Sequence, residues 1–576
     1  MFDGWLRNFK KRTHETSKPR RVRTAQAKPS GRYYHPILEP LEDRVAPAAV
    51  SWAVGQSGYW DVGSNWSTGQ VPGASDDVII NRSVANLTIT YRQGNDSIHS
   101  LQSNEVLDVS GGSLNIAAAS AVSTVAISNA AQVTAAATTW SDVTVDNATL
   151  TTDGEQDMAS LSVLDGGVLT HAANSATTTH LLDLHVTGTL MVDAASRIDV
   201  SGKGYGQFRT TGNTTNGAAT GYSGGSYGGL GGLRFGSGST NAVYGDYADP
   251  NDWGSGGTAS GGGLVRITAG TLTLDGQILA RGGSNEGAGA GGGIYVAVTT
   301  LQGAGSIDAT GGNGTYGGAG GGGRVAVYAQ DWSGFNLSKV TALGGVGNSD
   351  GGAGTVYLKK TGDAYGTLII DAGAGGSGTT PLGLPGETSH TFPDAVVIRG
   401  GNTNVQPEHA ALALDFENAV TVQNSAALSF PGDFHLPAAA GLTVTAGGAL
   451  YVAGSMPLDG SLTLTSGGQV QVAGTMTAAS PLTVSGGTLI ASQFVAPAVS
   501  VVNGGILTSL TSTTSQMYKL VVQVTGTLIV DAASRIDVSG KGYGQFRTTG
   551  NTTNGAATGY SGGSYGGLGG LRFGSG

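Results

Sequence analysis

A chain of 576 residues with 100 glycines, 12% charged and 7% aromatic residues is too long for one compact core and too rich in glycine for an ordinary enzyme domain. The absence of cysteine excludes a disulfide framework, a zinc knuckle, an iron–sulfur cluster and a cysteine nucleophile, and 16 prolines among irregularly spaced glycines exclude collagen. The net charge of −10 hides an asymmetry: residues 1–44 hold 11 of the 29 Lys and Arg but only 5 of the 39 Asp and Glu, leaving an acidic, sparsely charged body without the basic stripe that nucleic acid requires.

Residues 1–48 form a basic targeting segment, expected to be disordered and removed on export. The charged stretch Glu39–Arg44 interrupts any apolar run of signal-peptide length, so the signal is atypical. Leu38-Glu39-Pro40-Leu41-Glu42-Asp43-Arg44 resembles the short Leu-Glu-x-Leu-Glu-Asp-Arg sorting segment that opens many very large bacterial exported and surface proteins. Residues 49–100 follow, with Trp52, Trp60 and Trp66 preceding Val71-Pro72-Gly73 and Asp76-Asp77-Val78. This order resembles the Trp-rich module found beside β-helix repeats in autotransporter-like and filamentous bacterial surface proteins. The indoles are expected to pack the open end of a solenoid, in preference to forming a carbohydrate-stacking platform.

Three periods then dominate the chain. In residues 101–185 the pairs Leu107/Val109, Val125/Ile127, Val143/Val145 and Leu161/Val163 recur every 18 residues. In residues 186–376 glycine clusters beginning at Gly261, Gly291, Gly321 and Gly351 lead into apolar strands every 30 residues. In residues 377–523 Leu442-Thr443-Val444, Leu462-Thr463-Leu464 and Leu482-Thr483-Val484 recur every 20 residues, each trailed by Gly-Gly. Residues 524–576 repeat 186–238 with one change, Met191 to Ile529, and the natural chain is expected to continue past Gly576.

A coil of this length cannot bury its apolar side chains alone. Stacked coils place like on like in ladders, and each strand pairs with the coils above and below. The expectation is therefore all-β: a parallel β-helix, read as right-handed from its resemblance to adhesin-like repeat proteins, with glycine at the positive-φ corners. From Leu101 to the end, roughly 20 coils at ~4.8 Å each would make a rod on the order of 100 Å long.

Little in the sequence announces chemistry. Asp246, Asp249 and Asp252 offer oxygen ligands for one Ca²⁺, although Asp, Asn and Pro there also suit a solvated turn. Asp275, Asp308 and Asp371 would be paired carboxylates if stacked on one rung, as in β-helix polysaccharide lyases and hydrolases; turn positions are the simpler reading. His180 and His185 fit no metal spacing, and the column Thr443, Thr463, Thr483 is explained by strand propensity. The reading is a secreted or cell-surface rod, non-enzymatic and without cofactor. Its partners would be cell-surface or matrix components, polysaccharide among them, with no nucleic acid and no transmembrane helix; a polysaccharide-active enzyme is the alternative.

Overall fold

The computed structural model describes residues 48–83, 86–235 and 238–571; the basic segment and its Leu38–Arg44 motif lie outside the described residues. The fold is a parallel β-helix. One 21-stranded sheet runs through the coils, and a 9-stranded and a 10-stranded sheet form further walls. The periods read from the sequence are the register of the ladders. Leu107 pairs with Val125, Val125 with Val143, and Val143 with Leu161. Val265, Ile294, Val325 and Val356 stand in one column, as do Leu442 and Leu462. Each column is buried because a one-residue slip would turn every apolar side chain out to water. No helix among the described residues is long and apolar enough to cross a membrane.

The core is not one rod. Every ladder of the long sheet is parallel except one: Thr355–Lys360 and Thr367–Asp371 are antiparallel, joined by the turn through Gly362 (φ +100°). Before this hairpin the core takes in Val325, Val327 and Val356. After it the core contains Leu368, Ile370, Val396 and Ile398, together with Ala326 and Tyr357 from the earlier strands. Val356 and Tyr357 are neighbours in one strand and point to opposite faces, so the interior passes from one face of the shared sheet to the other. Reversal of strand direction alone would invert the sense of winding. Reversal combined with the change of face preserves it, so both stacks are wound with the same hand. The 9-stranded sheet serves the first stack and the 10-stranded sheet the second.

Glycine plays two distinct parts. In the 20-residue coils Ala446-Gly447 and Ser466-Gly467 have positive φ at both positions, and Gly448 N and Gly468 N donate back to Thr445 O and Thr465 O, closing turns of type I′ character. The 30-residue coils depart from the corner expectation. Their glycines are mostly outside the left-handed region, and their backbones bond directly to one another from coil to coil: Gly262 N to Ala290 O, Gly291 N to Gly321 O, Gly322 N to Gly352 O. Further bonds, Gly312 N to Gly289 O and Gly345 N to Gly320 O, tie adjacent coils a second time. A methyl group at Gly320 would sit on the carbonyl of Gly289, so the residue is glycine because the backbones touch.

The two copies of the repeat have different surroundings. Each caps its preceding coil in the same way: Asp193 accepts from Asp165 N at 2.7 Å as Asp531 does from Asn503 N at 2.7 Å, and Ser196 and Ser534 accept from Gly166 N and Gly504 N. Among the described residues only the first is covered on its far side, by Leu264–Leu274 and Gln277–Leu279. Leu190, Val192 and Ile198 are wholly buried, whereas their counterparts Leu528, Val530 and Ile536 are 40–42% exposed.

Candidate functional site

The three tryptophans of the first coils are in the interior. Trp52 and Trp66 meet edge to face at 5.0 Å, Trp60 and Trp66 at 4.7 Å, and Trp66 Nε1 donates to Trp60 O at 2.8 Å. With at most 2% exposure, their faces are not available to a sugar ring.

Asp246, Asp249 and Asp252 belong to a strap, residues 244–253, laid across the outer face of the long sheet. Asp249 forms an ion pair with Arg266 at 2.8 Å, and Asp246 accepts from Ala248 N within its own turn. Asp252 is half-buried, accepts from Tyr205 Oη at 2.6 Å and Thr211 Oγ1 at 2.8 Å, and has its pKa raised by desolvation. The three carboxylates thus go to three separate sets of partners. Among the described residues the metal-capable side chains that do converge are Glu155, Asp157 and His185, on neighbouring strands at the surface, where His185 also faces Asp183 at 3.4 Å. His180 is paired with Asp153 at 2.8 Å.

The rung proposed for Asp275, Asp308 and Asp371 does not form. Asp308 stands opposite Leu279 and Thr341 in the 9-stranded sheet, Asp275 follows a strand of the long sheet, and Asp371 belongs to the second stack. Each does a turn's work: Asp275 accepts from Ala304 N, Asp308 holds Arg281 at 2.6 Å, and Asp371 holds Arg399 at 2.7 Å. The threonine column is longer than the sequence suggested, running Thr421, Thr443, Thr463, Thr483 and on to Ser500.

A cleft of about 550 Å³ lies where the interior changes face. Its floor is the outer face of the last strands of the first stack, with Arg324, Tyr328, Thr355, Tyr357 and Lys359 at alternate positions. Gly245–Ala248 of the strap makes one wall and His390–Asp394 another. Asp394 fixes this junction: it accepts from Tyr247 Oη at 2.8 Å, Tyr357 Oη at 2.9 Å and Gly366 N at 2.7 Å. The ring of Tyr357 lies against Gly366, where a Cβ would not fit. Tyr328 donates to Ala248 O at 2.8 Å, and burial pushes its hydroxyl up to about 12. Aromatic contacts continue in a row from Tyr295 through Tyr328, Tyr357, Tyr247 and Phe392 to Phe416.

Arg324 is 95% buried, and no carboxylate lies within ion-pair distance of it among the described residues. Nε donates to Tyr244 O at 2.8 Å, Nη1 to Thr355 Oγ1 at 3.2 Å, and the guanidinium stands 5.5 Å from the Tyr227 ring centre. Burial lowers its pKa without removing the charge. Sequence reading missed this site. Its signal was present: Tyr295, Tyr328, Tyr357 and Arg324 occupy positions that alternate with core residues, where a face open to water would carry short polar side chains.

Compared with known proteins, the chain matches no protein-family model, no curated protein and no solved structure.

Proposed function

We propose that the protein is a secreted or surface-displayed repeat protein of bacterial adhesin-like type, working as a structural solenoid that meets cell-surface or matrix components, polysaccharide among them. The observation that carries this reading is the use made of its carboxylates. Asp275, Asp308 and Asp371 are engaged as turn acceptors or Arg partners on separate elements, while the exposed columns repeat small hydroxyl side chains from coil to coil. Such a surface suits many weak contacts spread along the coils better than one constellation of acid and base. A second reading, a polysaccharide-active enzyme, is favoured by one observation, the cleft with Asp246, His390 and Asp394 on its walls.

The test is an assay of the purified chain on pectin, alginate and other acidic polysaccharides, alongside adhesion of coated beads to cells and matrix. Adhesion without product formation is the expected result. Turnover abolished by Asp275→Asn, Asp308→Asn or a substitution in the cleft would overturn the non-enzymatic reading.

A further inference from the structure

We propose that the junction cleft binds a uronate-type acidic saccharide, with Arg324 receiving a carboxylate and the half-buried Tyr247 and Tyr328 receiving the sugar ring faces. This inference rests on the polysaccharide contact proposed above and names its place and chemistry. A buried charge is costly unless it is paired, and among the described residues Arg324 has two neutral acceptors, leaving Nη2 and one Nη1 hydrogen without a partner there. A carboxylate docked on the Nη1–Nη2 edge would supply the missing counter-charge in the planar geometry that guanidinium favours.

The surroundings narrow the ligand further. Lys359 shares the floor, four positions along and one strand over, so the Cα atoms of the two cationic residues stand roughly 14 Å apart along the sheet, from a rise of ~3.3 Å per residue and ~4.8 Å between strands. Two cations rooted that far apart suit an extended anion with repeated charges better than one small carboxylate. Tyr328 stands opposite Lys359 in the ladder, and Tyr247 packs on Tyr357, the floor residue between the two cationic positions; their flat apolar faces and fixed hydroxyls suit a ring with one apolar side and many hydroxyls. The two acids of the cleft leave room for this charge. Asp394 is buried under three donors, and Asp246, whose charge acts on Arg324 without forming an ion pair, is exposed at the rim, where water screens it. The volume, about 550 Å³, lies in the ordinary range for small-ligand sites, and the floor is set by two paired strands and so is formed in advance.

The experiment is calorimetric titration of the full chain with trigalacturonate, with its fully methyl-esterified form and with tri-glutamate, at low and moderate salt. The acid saccharide is expected to bind, at least tenfold more tightly than the ester or the peptide, and to weaken as salt rises. Lys359→Ala should lower affinity about tenfold with circular dichroism and melting unchanged, and Arg324→Lys should lower it about tenfold with circular dichroism unchanged and a lower melting temperature, because Nε also holds Tyr244 O; Arg281→Gln, outside the cleft, should not alter it. Arg324→Gln is avoided as the sole probe because Arg324 also anchors Tyr244. Equal binding of acid and ester, equal binding of the peptide, no binding, or indifference to both cleft substitutions would overturn the proposal. Bead adhesion that persists without trigalacturonate binding removes the cleft assignment and leaves the rod. Product release from trigalacturonate removes the non-enzymatic reading and leaves the cleft.

Discussion

Gly225 and Gly563 occupy equivalent places in nearly identical sequence, and the same substitution should have opposite consequences at the two. At Gly225 a methyl group would run into the backbone carbonyl of Ser255, a wholly buried residue, while at Gly563 it would meet nothing within 4 Å. Neither glycine is in the left-handed region, so alanine is conformationally acceptable at both. Relieving the overlap at Gly225 means moving an extended segment whose Gly225 N donates to Ala288 O at 2.9 Å and whose Gly225 O accepts from Gly321 N at 2.9 Å. Two weakened backbone bonds at about 1 kcal/mol each and an overpacking cost of about 1–3 kcal/mol, less about 0.5–1 kcal/mol from the stiffer unfolded chain, leave Gly225→Ala destabilising by about 3 kcal/mol. Gly563→Ala should be neutral, or stabilising by about 0.5 kcal/mol. The readout is hydrogen exchange by mass spectrometry. A local loss of about 3 kcal/mol speeds exchange at Gly225 and Gly321 by roughly 100-fold, with coils 400–500 unaffected because a solenoid couples mainly to its neighbours. Similar effects at the two positions would refute the claim that backbone contact between coils is what selects glycine here.

Three further outcomes follow from named contacts. His171 is buried, its Nδ1 facing Ala172 O at 2.6 Å and its Nε2 accepting from Leu264 N, and burial pushes its pKa down to about 4 from the usual 6.5. Because the unfolded chain takes the proton first, stability is full above pH 6.5 and falls by about 3 kcal/mol as pH drops toward 4; His171→Gln should flatten that slope in denaturant titrations between pH 7 and 4, and an unchanged slope would reject the assignment. Asp394→Ala strands two tyrosine hydroxyls and a buried amide and should cost about 3–5 kcal/mol, whereas Asp394→Asn keeps the Oδ1 acceptor and should cost far less, as read from thermal melts. Trp66→Ala removes the indole that contacts both Trp52 and Trp60 and should destabilise the first coils by about 3–5 kcal/mol, visible as selective loss of exchange protection at Val50, Val78 and Ile89.

Ladder positions were legible because one-dimensional stacking converts sequence period directly into register. Leu107, Val125, Val143 and Leu161 could be aligned without any knowledge of turns. The change of face was not legible, because it depends on a single hairpin. The segment Thr361–Gly366 resembles any other glycine-containing loop, and whether Thr367–Asp371 stacks parallel after a full coil or folds straight back is decided by which partner strand it reaches. The strap was noticed for its aspartates, yet its anchoring residues are aromatic: Tyr244 donates to Trp253 O at 2.6 Å and Trp253 Nε1 to His180 O at 2.7 Å. Acid counting finds metal sites only when carboxylates lack better partners, and here Arg266, Tyr205 and Thr211 supply them.

The reversal and the cleft have one cause. A solenoid that keeps its interior on one face presents only its outer surface to water, and a pocket then requires an inserted loop. Here the outward residues of Arg324–Phe335 and Thr355–Lys360 must serve as surface to the first stack and as the beginning of an interior to the second. They cannot be short and polar, as at Thr463, nor wholly apolar, as at Leu464, because the second stack covers only part of them. Tyrosine and arginine meet both demands, burying apolar area while carrying a polar end that needs a partner. Tyr357 finds Asp394 and Tyr328 finds Ala248 O, both supplied by the segments that close over the junction. Arg324 is the member of that set whose charge forms no ion pair among the described residues, Asp246 acting on it only at longer range. A ligand site at this place is therefore the electrostatic remainder of a topological switch, and the titration with acid and esterified trigalacturonate addresses that remainder directly.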